Sequence, residues 1–463
     1  MARGLERVGC IMKSILVFLQ VECVFWRILF NGWIQSKSSQ YFWAYKKWTQ
    51  GHSFRVVGAG AHRDGLAIFR YYKRSIDVFF RKEKIAIRSN TTASEAIGLF
   101  CQDSTQEPVY GPYIESVLKK PVDVFYFRDN MPLGGNGLVK IFMIGHLTVY
   151  AIFFSMIALF HSKKSHLGLM LLQWLENHSL AQHLHTQSVK QVFLFGGYEN
   201  DSCFTGLCCK LSEVKMTMVP SANPIRNFYQ QTIAHEFVFT APFQRKEWQK
   251  YQSEWKVDHI VSWPMEGFHD LVPYFRRNDS DKGKNVLAFM SRGMWLRQLR
   301  GVQSQNNNMD FLYERNCMEV VKSFLIDHPE IKLLILPHPI EKREPEIWSK
   351  AMEHYSAFFQ GVNVQFPQDV QLGSYAQFDS AEVSVASISS VNIERLFCGY
   401  KTIYAPVGAS MDFFGGSELD HIVAKTAEDL RNLLERSFQL TETDFFRVYE
   451  LNEYHFSHYS DFL

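Results

Sequence analysis

The stretch Ile331-Lys332-Leu333-Leu334-Ile335-Leu336-Pro337-His338-Pro339 decides how this chain folds. Apolar residues on consecutive positions, not alternate ones, read as a strand covered on both faces, the mark of a parallel sheet. The two prolines end that strand and fix the backbone around His338. They aim an imidazole beyond the strand's carboxyl end, where α/β sheets place their ligands.

Working outward, the same rhythm recurs on both sides. Val286 to Met290 reads as a strand, Phe311 to Asp327 as a helix, and Ala381 to Val385 and Thr402 to Tyr404 as further strands. A helix from about Ser390 to Phe397 separates the last two, and Ala427 to Phe438 is amphipathic. Upstream, Ser14 to Val21, Ser53 to Val57, Val122 to Phe127, Gln191 to Phe195, Val214 to Val219 and Phe237 to Thr240 read as buried strands. Alternating strands and helices predict an α/β fold with mostly parallel sheets. The run Ile11 to Val21 has the length of a short signal core, but Glu22 interrupts it and no small-residue cleavage site follows, so it is read as the first strand.

A chain of 463 residues exceeds one ordinary core. The polar, turn-prone stretch from Phe275 to Lys284 supplies the boundary. The expected domains are 12–275, a linker at 276–285, a second domain at 286–430 and a helical tail at 431–463. Leu138 to Phe160 breaks the pattern, being almost wholly apolar and about 34 Å long if helical. Three readings stay open for it: a helix lying in or dipping into a membrane, a span, or a buried core helix. The first is preferred, because a span would divide strands that belong to one sheet.

Residues 1–90 carry 16 Lys/Arg against 5 Asp/Glu, although the whole chain is only +2. A basic, aromatic-rich segment of this kind predicts an anionic partner, taken here as a membrane surface. No helix-turn-helix, zinc-finger or RNP-like pattern points to nucleic acid. The eight cysteines, Cys203, Cys208 and Cys209 among them, lack metal-ligand spacing, and no metal is expected. Sequons at Asn90, Asn177, Asn200 and Asn278 carry no weight without a secretory signal. Asp279-Ser280-Asp281 falls in the linker, not at a strand end, and Gly58 to Gly65 misses dinucleotide-binding spacing.

Three features of the second domain carry chemistry. His338 is positioned to donate to a phosphate oxygen and to neutralise a leaving nucleotide, against the bland reading of a loop cap. Ser389 and Ser390 lie between a strand and a helix, where hydroxyls and backbone N–H groups meet an anion; ordinary N-capping explains one of them. Glu394, one turn on, is spaced to accept from ribose hydroxyls. Arg292 follows the strand Val286–Met290 and offers a guanidinium fork to a diphosphate.

A strand ending in His338-Pro339, then Ser389-Ser390 through Glu394 to Cys398-Gly399-Tyr400-Lys401, resembles the donor domain of GT-B glycosyltransferases. The pairing of these motifs is most similar to bacterial surface and capsular polysaccharide transferases, polysialyltransferase-like and polyol-phosphate-transferase-like enzymes included. The resemblance covers about a third of the chain. It implies two Rossmann-like domains facing across a cleft, a UDP-, CMP- or GDP-linked sugar as donor, no permanently bound cofactor and no metal requirement. It also implies a C-terminal helix returning to the first domain, for which Thr441 to Leu463 is available.

The acidic pair before glycine that serves as base in the sialyltransferase-like families is missing. Met265-Glu266-Gly267 and Arg63-Asp64-Gly65 each keep one acid. By position alone, Glu199, after the strand Gln191–Phe195, is the preferred general base, with a polar loop acid as the bland reading and His235-Glu236 as a weaker candidate. The leading expectation is a glycosyltransferase at the cytoplasmic membrane face, acting on a glycan or lipid-linked acceptor. Alternatives are a CDP-polyol phosphotransferase, a nucleotide-sugar epimerase, or a scaffold that binds without turnover.

Overall fold

In a computed structural model, residues 2–35, 87–88, 96–100, 123–127, 137–158, most of 174–195, 202–219, 233–251, 256–261, 266–276, 283–299, 305–367 and 374–460 are described, a few single positions apart. The chain divides into two compact units. One comprises Met1–Phe239 with Trp248–Ser262, the other Thr240–Glu247 with Trp263–Leu463. Residues 263–275 therefore cluster with the second unit, whereas the sequence reading placed them in the first domain.

The first unit opens with helix α1 (Ala2–Trp33). Strands β1 (Ile87–Arg88), β2 (Ala96–Phe100) and β3 (Asp123–Phe127) precede helix α2 (Gly137–Ala158). Then come β4 (Gln191–Phe195), α3 (Ser202–Leu211), β5 (Lys215–Val219), β6 (Ile233–Val238) and β7 (Lys256–Val261); α4 (Pro242–Tyr251), between the last two, is divided, its residues to Glu247 clustering with the second unit. The sheet runs β1-β3-β2-β4-β5-β6-β7, parallel except for β1. The expected strands at 122–127, 191–195 and 214–219 are present; the one placed at 237–240 begins earlier, at Ile233. Ser53 to Val57 lies outside the described residues.

One expectation fails outright. Ser14 to Val21 is not a strand but the middle of α1. Val17, Phe18, Val21, Val24, Phe25 and Ile28 are buried while Leu16, Leu19 and Trp26 are exposed. That spacing has the 3.6-residue period of a helix, which over 32 residues outweighs the β-branched Ile15, Val17 and Val21. α2 packs against it through Phe18–Phe142 and Phe25–Tyr150 ring contacts. Among the described residues, no helix is long and apolar enough to cross a membrane.

The second unit holds β8 (Val286–Met290), α5 (Met294–Leu299), α6 (Gln305–Asp327), β9 (Lys332–Leu336), α7 (Pro345–Phe358), β10 (Val364–Gln365), β11 (Val383–Ala386), α8 (Val391–Phe397) and β12 (Lys401–Tyr404). α9 (Ala427–Gln439) and α10 (Glu442–Val448) follow. All five strands are parallel in the order β10-β9-β8-β11-β12. Leu287, Phe289, Leu333, Ile335, Val383 and Val385 are fully buried, and Val321, Tyr355, Leu430 and Leu434 of α6, α7 and α9 complete the core. Both units are thus α/β layers of the Rossmann-like kind.

Polar groups brace this second core. Arg395 is completely buried, with Nη1 and Nη2 donating to the carbonyls of Phe378 (2.5 Å) and Ala381 (2.6 Å) and its guanidinium over the Tyr400 ring. Lys401, quoted above as part of the motif, has a structural task. Its ammonium donates to the carbonyls of Ser437 and Leu440, both at 2.8 Å, and so caps the end of α9. The described part of the linker is packed. Gly283 sits at φ +79, where a Cβ would lie 2.6 Å from the Ala381 nitrogen. Within the second unit the tail packs on the residues before β8: Phe456 stacks on Phe275 and Glu442 pairs with Arg276 at 3.0 Å.

Candidate nucleotide site at the carboxyl edge of the second sheet

The strand order of the second unit reverses between β8 and β11, the first and fourth strands to appear. That reversal opens a crevice beyond the carboxyl ends of the two strands, because their connections leave to opposite sides. Met290 ends β8 and Ala386 ends β11, with Val385 in register with Phe289. Arg292 and the turn from Ser387 to Ser390 therefore flank the crevice. His338 stands one strand over, two residues past Leu336, which is in register with Met290. Four of the residues singled out from sequence share this edge, and Glu394 follows in the first turn of α8. Glu199 lies outside the described residues.

Arg292 is held by both its backbone and its side chain. Its N–H donates to Glu314 (2.8 Å), whose other oxygen accepts from the Met294 N–H (3.3 Å). Nη2 donates to Asp310 (3.1 Å), and Nη1 is buried without a hydrogen-bond partner among the described residues. A buried guanidinium nitrogen with no acceptor is a costly arrangement unless an anion supplies one. Gly293 is required next to it: at φ +65 its Cβ would meet Ile340 Cγ2 at 2.8 Å.

Two carboxylates invisible to the sequence reading build this corner. Glu341, fully buried, accepts from the His338 N–H (2.7 Å), the Trp295 indole and the Tyr355 hydroxyl (2.8 Å). Tyr355 also hydrogen-bonds Ser291 Oγ at 2.5 Å, tying the ends of β8 and β9 together. Glu314 is buried too; burial, and next the nearby Glu341 charge, push its carboxyl up to about 7. Glu314 lies 22 residues beyond Arg292 in sequence, whereas Glu341 follows His338 closely. A Glu three residues after His338 in a capping arrangement was the one available signal for Glu341.

His338 Nδ1 accepts from the Ile340 N–H at 3.2 Å. Nδ1 is then the unprotonated nitrogen, so Nε2 carries the proton and is a donor. This suits a neutral imidazole giving a hydrogen bond to a phosphate oxygen.

The serine turn differs from its expected form. Ser390 has helical backbone angles and its side chain does not cap α8. The Asn392 and Ile393 N–H groups donate back to Ser389 (3.3 Å) and Ser390 (3.0 Å), so they are not available to an anion. The expected helix-terminus site is reduced to hydroxyls and to Arg292, because the tight turn before the two-turn helix consumes the amides. Ser387 adds to the hydroxyls: it is fully buried and its Oγ has no partner among the described residues.

Glu394 is partly buried, and its carboxylate makes no hydrogen bond or ion pair within the described residues. Burial pushes it up to about 7. A carboxyl perturbed by burial and left uncompensated near strand ends marks a candidate functional group.

In the first unit, His235 and Glu236 lie inside β6, not at a strand end. Glu236 pairs with Lys215 (2.8 Å) and accepts from Thr217 (3.0 Å), and His235 accepts from the Met216 N–H (3.0 Å). These are sheet-face contacts, and the pair is withdrawn as a base candidate. Among the described residues no cluster of His, Cys, Asp or Glu is arranged to hold a metal ion.

No family model matches the chain. No curated protein matches its sequence. Among solved structures, it is similar to a UDP-GlcNAc 2-epimerase from Neisseria meningitidis bound to UDP-GlcNAc, at 9% identity and TM-score 0.43, over 79% of this chain and 96% of that one. It is also similar to the Thermobaculum terrenum O-GlcNAc transferase (11%, TM-score 0.35, 84% and 70%). A third is the sucrose-phosphate synthase of Thermosynechococcus elongatus (10%, TM-score 0.40, 78% and 93%). Likeness at these scores transfers no activity to this chain.

Proposed function

We propose that the carboxyl edge of the second sheet binds the diphosphate and ribose of a nucleotide sugar, and that the protein is a glycosyltransferase using this donor. The observation that carries the proposal is the unpartnered, buried Arg292 Nη1 at the β8–β11 strand reversal. In this reading Arg292 forks onto the diphosphate, and Ser387, Ser389, Ser390 and the His338 Nε2–H donate to its oxygens. Glu394 accepts from the ribose hydroxyls. These groups stabilise the leaving nucleotide by charge and hydrogen bonding, the larger part of what such a transfer requires of a protein.

The acceptor, a glycan or a lipid-linked glycan, approaches through the first unit at an anionic membrane surface on its cytoplasmic side. Glu199 remains the proposed base, on its position after β4 alone. The role in surface or capsular polysaccharide synthesis rests on the motif resemblance.

The test is a thermal-shift panel of UDP, CMP, CDP and GDP, followed by nucleotide release from activated donors. At least one nucleotide should raise Tm, and Arg292→Ala or Glu394→Ala should cancel that rise. An absence of any shift sinks the donor site. Release of the nucleoside diphosphate or CMP from a nucleotide sugar only with acceptor supports sugar transfer; interconversion of a UDP-sugar without acceptor identifies an epimerase; release of CMP from a CDP-polyol, with the polyol phosphate passing to an acceptor hydroxyl, identifies the phosphotransferase.

A further inference from the structure

We propose that α1 and α2 together form a two-helix platform that lies in the surface of an anionic lipid bilayer without crossing it. This extends the membrane part of the reading above and does not depend on the nucleotide site. From sequence only the second of these helices was a membrane candidate, since the first read as a strand.

Three observations carry the proposal. The two helices pack on each other by their inner faces, and each leaves an apolar stripe outside. Leu16, Leu19, Phe30 and Trp33 are exposed along α1, with Trp33 82% exposed. Ile141, Val149 and Ile152 are exposed along α2, with Ile141 at 69%. Helical spacing keeps each stripe on one side for most of its helix, about 25 Å on α1. An exposed surface of this size is too apolar to be explained as ordinary scatter.

Second, the carboxylate in the middle of α1 is turned away from that face. Glu22 is buried between the helices and accepts from Trp174 Nε1 (2.6 Å), His178 Nε2 (3.0 Å) and the Tyr150 hydroxyl. Burial alone would raise its pKa, but these donors outweigh it and hold the group below the usual carboxylate range. Among the described side chains of the two helices it is the only acid, so none faces outward.

Third, the charged side chains described on the exposed surface of α1 are cationic, and the sequence around it is basic. Lys13 and Arg27 are exposed on α1, and residues 1–90 have 16 basic against 5 acidic side chains. Charge and apolar area together fit headgroups of negative sign above an acyl layer, the pattern of helices that lie in the interface. Trp26 and Trp33 near the end of α1 are the residue type that seats at that level. A second copy of this chain would bring the same positive field and is disfavoured by it.

Flotation of the full chain with vesicles tests this. The protein should float with phosphatidylglycerol/phosphatidylcholine vesicles and much less with phosphatidylcholine alone. The double variant Leu16→Asp/Ile141→Asp should lose at least tenfold in vesicle affinity while keeping its melting transition and its nucleotide-induced Tm shift. Should that variant fail to fold, Trp33→Gln in a brominated-lipid quenching experiment serves instead: wild-type tryptophan emission is quenched, and the variant loses part of that quenching. Wild type that stays unbound to anionic vesicles overturns the proposal. So does undiminished flotation of the variant, or a wild-type dimer that the variant turns into monomers. A lost nucleotide shift with flotation intact would count against the donor site alone.

Discussion

Glu394 is a group that the fold holds at a cost. Its carboxyl stands near 7 because burial penalises the charged form and no described residue compensates. A carboxyl whose folded pKa lies above its unfolded value makes the folded state bind the proton more tightly. Stability is then full at low pH and is lost as pH rises from about 4.5 through about 7. Glu394→Gln should therefore match wild type near pH 4 and exceed it by about 1–3 kcal/mol at pH 8, read as a denaturant midpoint at each pH. Glu314 titrates in the same window for a similar reason, so the variant keeps part of the slope. A variant no more stable than wild type at pH 8 would contradict this account of the side chain. Gains in stability that remove binding are what a residue kept for function produces. The strand-end positions of Arg292, His338 and the two serines were legible in sequence because polar residues soon after an apolar run mark where a strand stops. Ser387 was not, since a serine at the end of a strand looks like any other. Glu314 and Glu341 were not, since their task depends on contacts that only the folded chain makes.

At the scale of elements, the loops beyond the strands are held as firmly as the strands. The corner at β8 and β9 closes through Ser291, Tyr355 and Glu341, and Glu314 clamps two backbone amides of the Arg292 loop. The described end of the segment read as a linker, residues 283–285, is likewise part of the packing. Gly283 meets backbone, not flexible side chain, on every near side. Gly283→Ala should cost about 2–4 kcal/mol, from the positive φ and the displaced 379–381 backbone together; urea unfolding with an unchanged m-value would measure it. A cost under about 0.5 kcal/mol would mean that the segment is a loose connection after all. The parallel strands of the second unit were readable because they are apolar on both faces. α1 was misread because a window of eight residues shows its β-branched content and hides its period. The amides before α8 were credited to a ligand because a sequence does not reveal that the turn itself has used them.

Across the whole molecule, the proposed nucleotide site and the proposed membrane face fall in different units. The second unit carries the candidate nucleotide-binding groups on a fully parallel sheet, and the first carries the two exposed helical stripes. Alternation of strands and helices announced both Rossmann-like layers, and the length of the chain announced more than one core. The strand order, which creates the site, was not announced by any local pattern, because pairing is decided by which faces bury together and not by order along the chain. Where a nucleotide binds is the decisive question. Amide hydrogen exchange with and without the nucleotide that raises Tm most reports that position directly. Slower exchange is expected at residues 290–294 and 386–394, the ends of β8 and β11 and the start of α8, with the first sheet unchanged. Protection confined to the first unit, or none at the β8–β11 edge, would contradict it.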